Sequence, residues 1–342
     1  DFTVNEGAIL ADYKRQQNGT QSIAIKALII IGGILTSLFI VALMFLMGIY
    51  KSTPTLIFIG IISLISAIIL TRKTNEIFLA TFLITLFGVG YATLALGLLQ
   101  TEIGHTIIIG LLLSISSGTL FVVDNYVLTF INCLIITGLC IILLSTLNLA
   151  FLTPIFSSLI GILMTITLLN EAKIITFSKH LSRIYTPLAT GLILSFCISL
   201  FPFSTYSFTA DFDHSIFLSQ FAYCTKSVLL LGLVLYLQSF VLKILQIKDF
   251  KQRILLYSIA LIVFIPTSME PSIIGSLIII ILCFLTNHRM GIVIGIASFL
   301  YFIATFYYNM EVSLLEKSIL LFVSGLLFLG FYLITSKKLS EK

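Results

Sequence analysis

Long, continuously apolar runs alternate with short polar segments along almost the whole chain. An α-helix needs about 20 apolar residues to cross the ~30 Å hydrocarbon layer of a membrane, and most of the runs approach that length. The strands of a membrane β-barrel would instead alternate between apolar and polar side chains. We therefore predict about twelve transmembrane helices, near residues 27–49, 55–71, 77–99, 106–123, 126–147, 151–169, 185–201, 226–245, 252–268, 272–286, 291–308 and 318–335.

Composition leads to the same fold class. Hydrophobic residues make up 59% of the chain, charged residues make up 10%, and the mean hydropathy is +1.17. A soluble domain carries about 25% charged residues, so this chain cannot cover a water-facing surface. The predicted fold is an all-α polytopic membrane helix bundle whose main partner is the lipid bilayer. We expect no nucleic-acid partner.

The basic residues predict the orientation of the bundle. Cytoplasmic loops of membrane proteins collect Lys and Arg. If both termini are cytoplasmic, only Lys51, Lys226 and Lys317 of the 19 basic residues fall on the outer side. The prediction is a polar cytoplasmic segment at 1–26, a single transmembrane domain at 27–335 and a basic cytoplasmic tail at 336–342.

An inner loop at 170–184 divides the transmembrane domain into two possible halves, residues 27–169 and 185–335. Each half would contain six spans. The corner after the third span, with Glu102, would then correspond to the corner after the ninth, with Glu270. Parallel repeats of this kind occur in membrane carriers, although the residues of the two halves match too weakly to establish a duplication.

The ninth and tenth spans are short and meet at the proline-bounded corner PTSMEP, residues 266–271. Short, proline-interrupted segments are typical of the binding sites of transporters. A re-entrant hairpin would place Glu270 deep in the membrane, whereas two full crossings would leave it in water. Both interpretations stay open, because they put every other loop on the same side. The candidate binding residues at this corner are Pro266, Ser268, Glu270 and Pro271, together with Glu102.

The outer loop at 202–225 contains a second polar cluster, formed by Asp211, Asp213 and His214. Two carboxylates and an imidazole are able to hold a divalent metal or to exchange protons. A solvated acidic loop explains the same residues, and the loop has no arginine with which to bind a lipid-linked phosphate. The sequence also has no P-loop, HExxH or GxSxG motif. We therefore expect no catalytic residue, no metal and no cofactor.

Two stretches resemble one known family. They are RKTNEIFLATFLITLFGVGYATLALGLL at 72–99 and YYNMEVSLLEKSILLFVSGLLFLGFYLI at 307–334. They are similar to a bacterial polytopic membrane family of unknown function whose genes neighbour those of proteins with a GDYXXLXY motif. The resemblance implies the inner membrane of a Gram-negative bacterium and a GDYXXLXY-motif membrane protein as a partner. The family has no established activity, so it implies no site residue.

Within the second stretch, a tyrosine pair and three charged residues form a possible collar at the membrane surface or a docking surface for a partner. They are Tyr307, Tyr308, Glu311, Glu316 and Lys317.

Three functions remain in view. On the boundaries above, no span carries an acidic or basic residue near its centre, which favours a non-enzymatic scaffold of a cell-envelope complex over an ion-driven carrier. The alternative is a transporter or lipid-handling carrier with its site near residues 266–271. A further alternative is an envelope glycan or lipid enzyme that uses the loop at 202–225.

Overall fold

The structure, a computed structural model, describes residues 46–71, 77–123, 125–201, 215–244 and 270–309, with shorter stretches between 32 and 44 and between 250 and 258. The regular elements of this part of the chain are helices. They are α1 (Thr53–Thr71), α2 (Ile77–Leu99), α3 (His105–Val122), α4 (Tyr126–Thr146), α5 (Thr153–Leu169), α6 (Glu171–Phe177), α7 (Lys179–Ser199), α8 (Ser215–Ile244), α9 (Pro271–Leu285) and α10 (Arg289–Asn309), with short 3₁₀ turns at Ile49–Lys51 and Ala150–Leu152.

The predicted fold class is confirmed. Among the described residues, eight helices are long and apolar enough to cross a membrane. Seven of the predicted spans match described helices to within two residues at each end. The two that follow the longer loops start earlier than predicted, since α7 begins at Lys179 and α8 at Ser215. The described residues form two compact units, residues 1–219 and 220–342.

Short polar turns end two of the helices in the same way. Asn148, after α4, and Asn287, after α9, both have positive φ angles, of 58° and 53°. Asparagine tolerates this left-handed conformation better than most residues. The next backbone N–H in each case bonds back to a carbonyl inside the helix, as Leu149 N does to Leu144 O at 2.8 Å and His288 N to Cys283 O at 2.8 Å. These bonds satisfy carbonyls that the helix end leaves free.

In the first unit, α1 and α2 pack closely along glycines. A Cβ atom built on Gly60 would lie 2.8 Å from the backbone nitrogen of Leu94, and one on Gly90 would lie 2.8 Å from Ser63 Cβ. Small residues at such contacts let two helix backbones approach, which is how helices associate in lipid, where the hydrophobic effect gives little drive. The sequence therefore brings α1 and α2 together through the absence of side chains.

The core of the first unit is built from the inner faces of α1 to α4. It includes Leu64, Phe87, Ile108 and Leu128, all of which are buried. The next layer is α7, which contacts α4, α5 and α6.

In the second unit, α9 packs against α10. Ten of the 15 residues of α9 are buried, among them Pro271 and Ser272 at its start. A helix that faces lipid would expose more of its surface. The described part of α9 is therefore largely enclosed by protein.

Candidate functional site

Lys226 is a buried lysine inside an apolar helix. Its side chain is only 5% exposed, and it lies on the buried face of α8 with Ala222, Leu230 and Val234. These residues recur every four positions, the spacing that keeps side chains on one face of a helix. The charge count assigned Lys226 to the outer side because the span was predicted to start at that residue. The earlier start of α8 places it within the helix instead.

Glu270 directly precedes α9 and is half-buried. Its side chain makes no capping hydrogen bond to the helix, and Pro271 follows at the first helical position. Proline is favoured there because the first N–H groups of a helix have no partner within it. The carboxyl group of Glu270 is therefore not used to cap its own helix and is directed to other groups.

Glu270 interacts with two residues of α8. A side-chain hydrogen bond joins it to Tyr223, and it interacts electrostatically with Lys226. Tyr223 and Lys226 are three residues apart, so they are neighbours on one helix surface. Since a phenol donates and a carboxylate only accepts, the Tyr223 hydroxyl donates to ionised Glu270. The structure thus brings a phenol, an ammonium and a carboxylate together; we call Tyr223, Lys226 and Glu270 the charged triad.

The lengths of α8 and α9 show how far each charge lies from a helix end. Helix α8 begins at Ser215, and Lys226 lies eleven residues, about 16 Å, farther along its axis. The 15 residues of α9 extend about 22 Å, some 8 Å less than the ~30 Å hydrocarbon layer. If Leu285 lies at one membrane surface, Glu270 stops roughly 8 Å short of the other.

Burial of the Glu270 carboxyl disfavours its charged form, while the nearby charge of Lys226 and the hydrogen bond with Tyr223 favour it. Desolvation disfavours the charged form of a carboxyl group, whereas an opposite charge favours it. Protonated Glu270 is therefore closer in energy to the ionised form than in water. A group of this kind is suited to taking up and releasing a proton.

Other buried polar groups hold helices together. Asn132 of α4 accepts a hydrogen bond from the Ser116 hydroxyl of α3 and donates to the backbone oxygen of Ser116 at 2.6 Å. It also donates to Thr119. Tyr91 of α2 donates to the backbone oxygen of Leu112 at 2.6 Å. Every polar atom of the Asn132 side chain is engaged between helices, so this network has a structural role.

Gln238 of α8 differs from Asn132. Its Nε2 donates to the backbone oxygen of Leu256 at 2.9 Å, but its buried Oε1 has no hydrogen-bond partner among the described residues. Gln238 lies twelve residues, about 18 Å along the axis, beyond Lys226, so it is not part of the charged triad.

The sequence-predicted site residues have different outcomes. Glu102 is exposed in the turn between α2 and α3, whereas Pro271 is buried beside Glu270. Tyr307 and Tyr308 end α10, with their rings edge to face and 5.7 Å apart. The other predicted residues lie outside the described part of the chain: Pro266, Ser268, Asp211, Asp213, His214, Glu311, Glu316 and Lys317.

Sequence reasoning selected Glu270 but missed Lys226 and Tyr223. The signal that points to them is the continuation of apolar residues before Lys226, in SIFLSQFAYCTK at 215–226. Read as helix, that stretch places the lysine about three turns inside the helix, because each turn takes about 3.6 residues.

Comparison with known proteins places the chain in a family without assigning it a role. No curated protein and no solved structure matches it. One family model matches residues 23–338, which is most of the chain, and its description is a domain of unknown function. The helices show an integral membrane protein, and the chain belongs to the family defined by the domain of unknown function DUF4401.

Proposed function

We propose that the protein is a membrane carrier whose binding and coupling site is the charged triad. The observation that supports this is a buried lysine inside an apolar helix that interacts electrostatically with a half-buried glutamate at the start of another apolar helix. An ionisable side chain at membrane depth is costly, so such residues occur mainly where they bind or move ions and substrates. An ordinary scaffold has no need of the pair, because apolar side chains of similar size would pack at lower cost.

The short helix α9 supports the same function. In secondary transporters, substrate and coupling ions bind where a helix is interrupted within the membrane. At about 22 Å, α9 is too short to cross the hydrocarbon layer alone, and it begins at the charged triad. Its buried surface agrees with an interrupted helix that protein shields from lipid.

We further propose that the site opens toward the outer side of a bacterial inner membrane. The turn after α9 leads into Arg289, and basic turns collect on the cytoplasmic side. With Leu285 near the cytoplasm, Glu270 and Lys226 lie in the outer part of the membrane. A solute then reaches the triad from outside, and a second conformation must open the site to the cytoplasm.

Proteoliposomes containing a trapped pH-sensitive dye test the carrier function. Sodium, choline, glycine, glucose, lactate and methanesulfonate are added outside one at a time, across an imposed pH gradient. We expect at least one solute to drive proton movement into vesicles that contain the protein. Glu270→Gln should abolish that movement, and the matched change Glu102→Gln, at an exposed turn, should leave it unchanged. The absence of solute-dependent proton movement with the whole panel overturns the carrier proposal.

The scaffold function remains a second proposal, favoured by the tyrosine pair. Tyr308 is 78% exposed at the end of α10, and its ring packs edge to face on Tyr307. Aromatic pairs at an exposed end fit a docking surface for a membrane partner, for which we propose a GDYXXLXY-motif protein. Co-expression with such a protein should give a complex that Tyr308→Ala weakens and Tyr301→Ala, on the same helix, does not. Purification without the partner contradicts this proposal.

A further inference from the structure

We propose that the first unit binds one membrane phospholipid, with a single acyl chain inside an apolar cavity beside α2 and the phosphate group next to Lys51. The cavity has a volume of about 430 Å³ and lies between one face of α2 and described residues of the stretch 32–44, among them Leu38 and Met44. It belongs to the first unit, so this inference is independent of the carrier proposal.

The cavity is long and narrow. The residues of α2 that line it run from Ile84 to Leu96, twelve positions or about 18 Å along the helix axis. Its volume of about 430 Å³, spread over that length, gives a mean cross-section of about 24 Å², which is roughly 5 Å across. Carbon atoms in contact lie about 4 Å apart, so one hydrocarbon chain fits this width. A second helix, about 10 Å in diameter, does not.

The length of the cavity also fits one leaflet of the membrane. Leu96 lies three residues before the end of α2 at Leu99, and the polar residues Gln100, Thr101 and Glu102 follow, so this end lies at a membrane surface. Half of the ~30 Å hydrocarbon layer is about 15 Å, which is the depth that the chains of one leaflet occupy. The cavity extends inward from the end of α2 over a similar distance. It therefore has the dimensions of one acyl chain that enters from the headgroup level.

The lining favours hydrocarbon over water. Its side chains are apolar apart from Tyr50, Thr85 and Thr93. Both threonine hydroxyls bond to the backbone of their own helix, Thr85 to Phe82 O at 2.8 Å and Thr93 to Gly90 O at 3.1 Å. A water in a cavity needs two to four polar partners, so a cavity of this kind stays dry. An empty cavity forfeits van der Waals contacts along its walls, and in a membrane an acyl chain restores them.

The 3₁₀ turn Ile49–Lys51 places a cation at the surface end of the cavity. Gln100 Nε2 donates to the backbone oxygen of Tyr50 at 3.0 Å, and Gln100 Oε1 accepts from the Thr53 hydroxyl at 3.0 Å. These bonds fasten the turn and the start of α1 to the end of α2. Tyr50 lines the cavity, and Lys51 Nζ lies 5.9 Å from the centre of its ring. The ammonium group is thus at the level where tyrosine and lysine side chains meet lipid headgroups.

The charges at this end point to the phosphate group of the lipid. A lysine ammonium binds phosphate as a point charge. Glu102 lies two residues after Gln100, so this end carries a negative charge as well as that of Lys51. Net charge therefore does not select an anionic headgroup, and we expect phosphatidylethanolamine and phosphatidylglycerol to bind alike. Diacylglycerol, which has the same chains without the phosphate, should bind more weakly.

Photo-cross-linking tests where the chain lies. The full chain is placed in nanodiscs of phosphatidylethanolamine and phosphatidylglycerol, with a small fraction of phosphatidylethanolamine that carries a diazirine on one acyl chain. A diazirine at the chain tip should cross-link near Ile84 and Ile131, and one close to the headgroup should cross-link near Leu96. Cross-links confined to exposed residues such as Phe58, which is 66% exposed, would mean that lipid only surrounds the protein and would overturn the inference.

Filling the cavity tests the same site independently. A Cβ atom at Gly88, which lines the cavity, meets no atom within 4 Å, so Gly88→Leu should occupy the cavity without a clash at the backbone. Gly118→Leu is the matched control, because Gly118 is exposed on α3, does not line the cavity and has equally open space. Native mass spectrometry in mild detergent measures the species with one bound phospholipid. Gly88→Leu should abolish it and Gly118→Leu should keep it; equal retention, or a bound lipid without phosphate, overturns the inference.

Substitution of Lys51 tests the phosphate contact. Lys51→Gln should weaken the binding of both phospholipids by up to about fivefold, the factor that corresponds to about 1 kcal/mol for a basic residue near a membrane surface. It should leave the binding of diacylglycerol unchanged, and Lys51→Arg, which keeps the charge, should behave like the unaltered protein. An equal loss for diacylglycerol and the phospholipids, or no loss for any of them, contradicts the role of Lys51.

Discussion

Replacing Gly60 with alanine tests the claim that α1 and α2 associate through the absence of side chains. The added Cβ would lie 2.8 Å from both the Cβ and the backbone nitrogen of Leu94, and 2.9 Å from its Cα. Ordinary contact begins at 3.4 Å, so the helices must separate by about 0.6 Å. Two of the three close atoms belong to the backbone, which cannot rotate away. The strain therefore passes to the whole interface.

The expected loss follows from that separation. A radial gap of about 0.5–1 Å forfeits a quarter to a half of each van der Waals contact. Overpacking of this kind costs typically about 1–3 kcal/mol. The loss would raise the unfolded population by a factor between about 5 and about 150.

The protein contains its own reporter for this measurement. Cys133 is buried in the first unit, so a variant that keeps only this cysteine reacts with a thiol dye when the bundle opens. Gly88→Ala is the control, because Gly88 lies on α2, the helix that packs against α1, lines an apolar cavity of about 430 Å³ and has no atom within 4 Å of an added Cβ. Both substitutions change helix propensity equally, so their difference isolates the contact. The measured quantity is the labelling temperature, at which half of the protein has reacted with the dye, and it should be lower for Gly60→Ala than for Gly88→Ala. Equal labelling temperatures for the two variants would refute the packing argument.

Three further pairs of substitutions probe other parts of the fold with the same thiol-labelling assay. Ser116→Ala removes a hydrogen bond to Asn132 and should lower the free energy of unfolding by about 0.6 kcal/mol, at most about 1.7. Ser114→Ala should lower it by less, because the Ser114 hydroxyl bonds only within its own helix. Equal effects of the two substitutions would contradict the structural role of the Asn132 network. Asn287→Gly should leave the free energy of unfolding unchanged, whereas Asn287→Val should lower it by about 1–2 kcal/mol because residue 287 has a positive φ. A valine variant of full stability would contradict the left-handed turn after α9. Gly191→Ala should lower the labelling temperature, since its Cβ would lie 2.9 Å from the side chain of Cys133, and Gly138→Ala should not. Cys197 is the reporter for this pair, and Cys283 is the reporter for the Asn287 pair.

The helices were predictable because the membrane imposes their length. Any continuous apolar run of about 20 residues must satisfy its backbone hydrogen bonds internally, so it forms a helix whatever its neighbours are. This is why the limits of α2, Ile77–Leu99, follow directly from the sequence. The limits of α8 do not, because a lysine at the edge of an apolar run is equally compatible with a loop and with a buried site.

The candidate site was only half predictable for a related reason. Glu270 stands out in the sequence as the one acidic residue at a proline-bounded corner. Its partners Tyr223 and Lys226 lie more than forty positions earlier, and nothing in the local pattern links them to it. That link depends on how α8 and the start of α9 approach each other, which is a property of packing. The close approach at Gly60 is unpredictable for the same reason, since glycines such as Gly88 on similar helices meet nothing.

The depth of Glu270 is the central claim, and cysteine accessibility measures it most directly. Glu270→Cys and Glu102→Cys are placed separately in a protein that lacks the five native cysteines, and intact cells are labelled with a membrane-impermeant thiol reagent or with a small permeant one. We predict rapid labelling of position 102 by both reagents, and labelling of position 270 by the small reagent alone. Equally rapid labelling of position 270 by the impermeant reagent would place it in an outer turn and contradict the buried site.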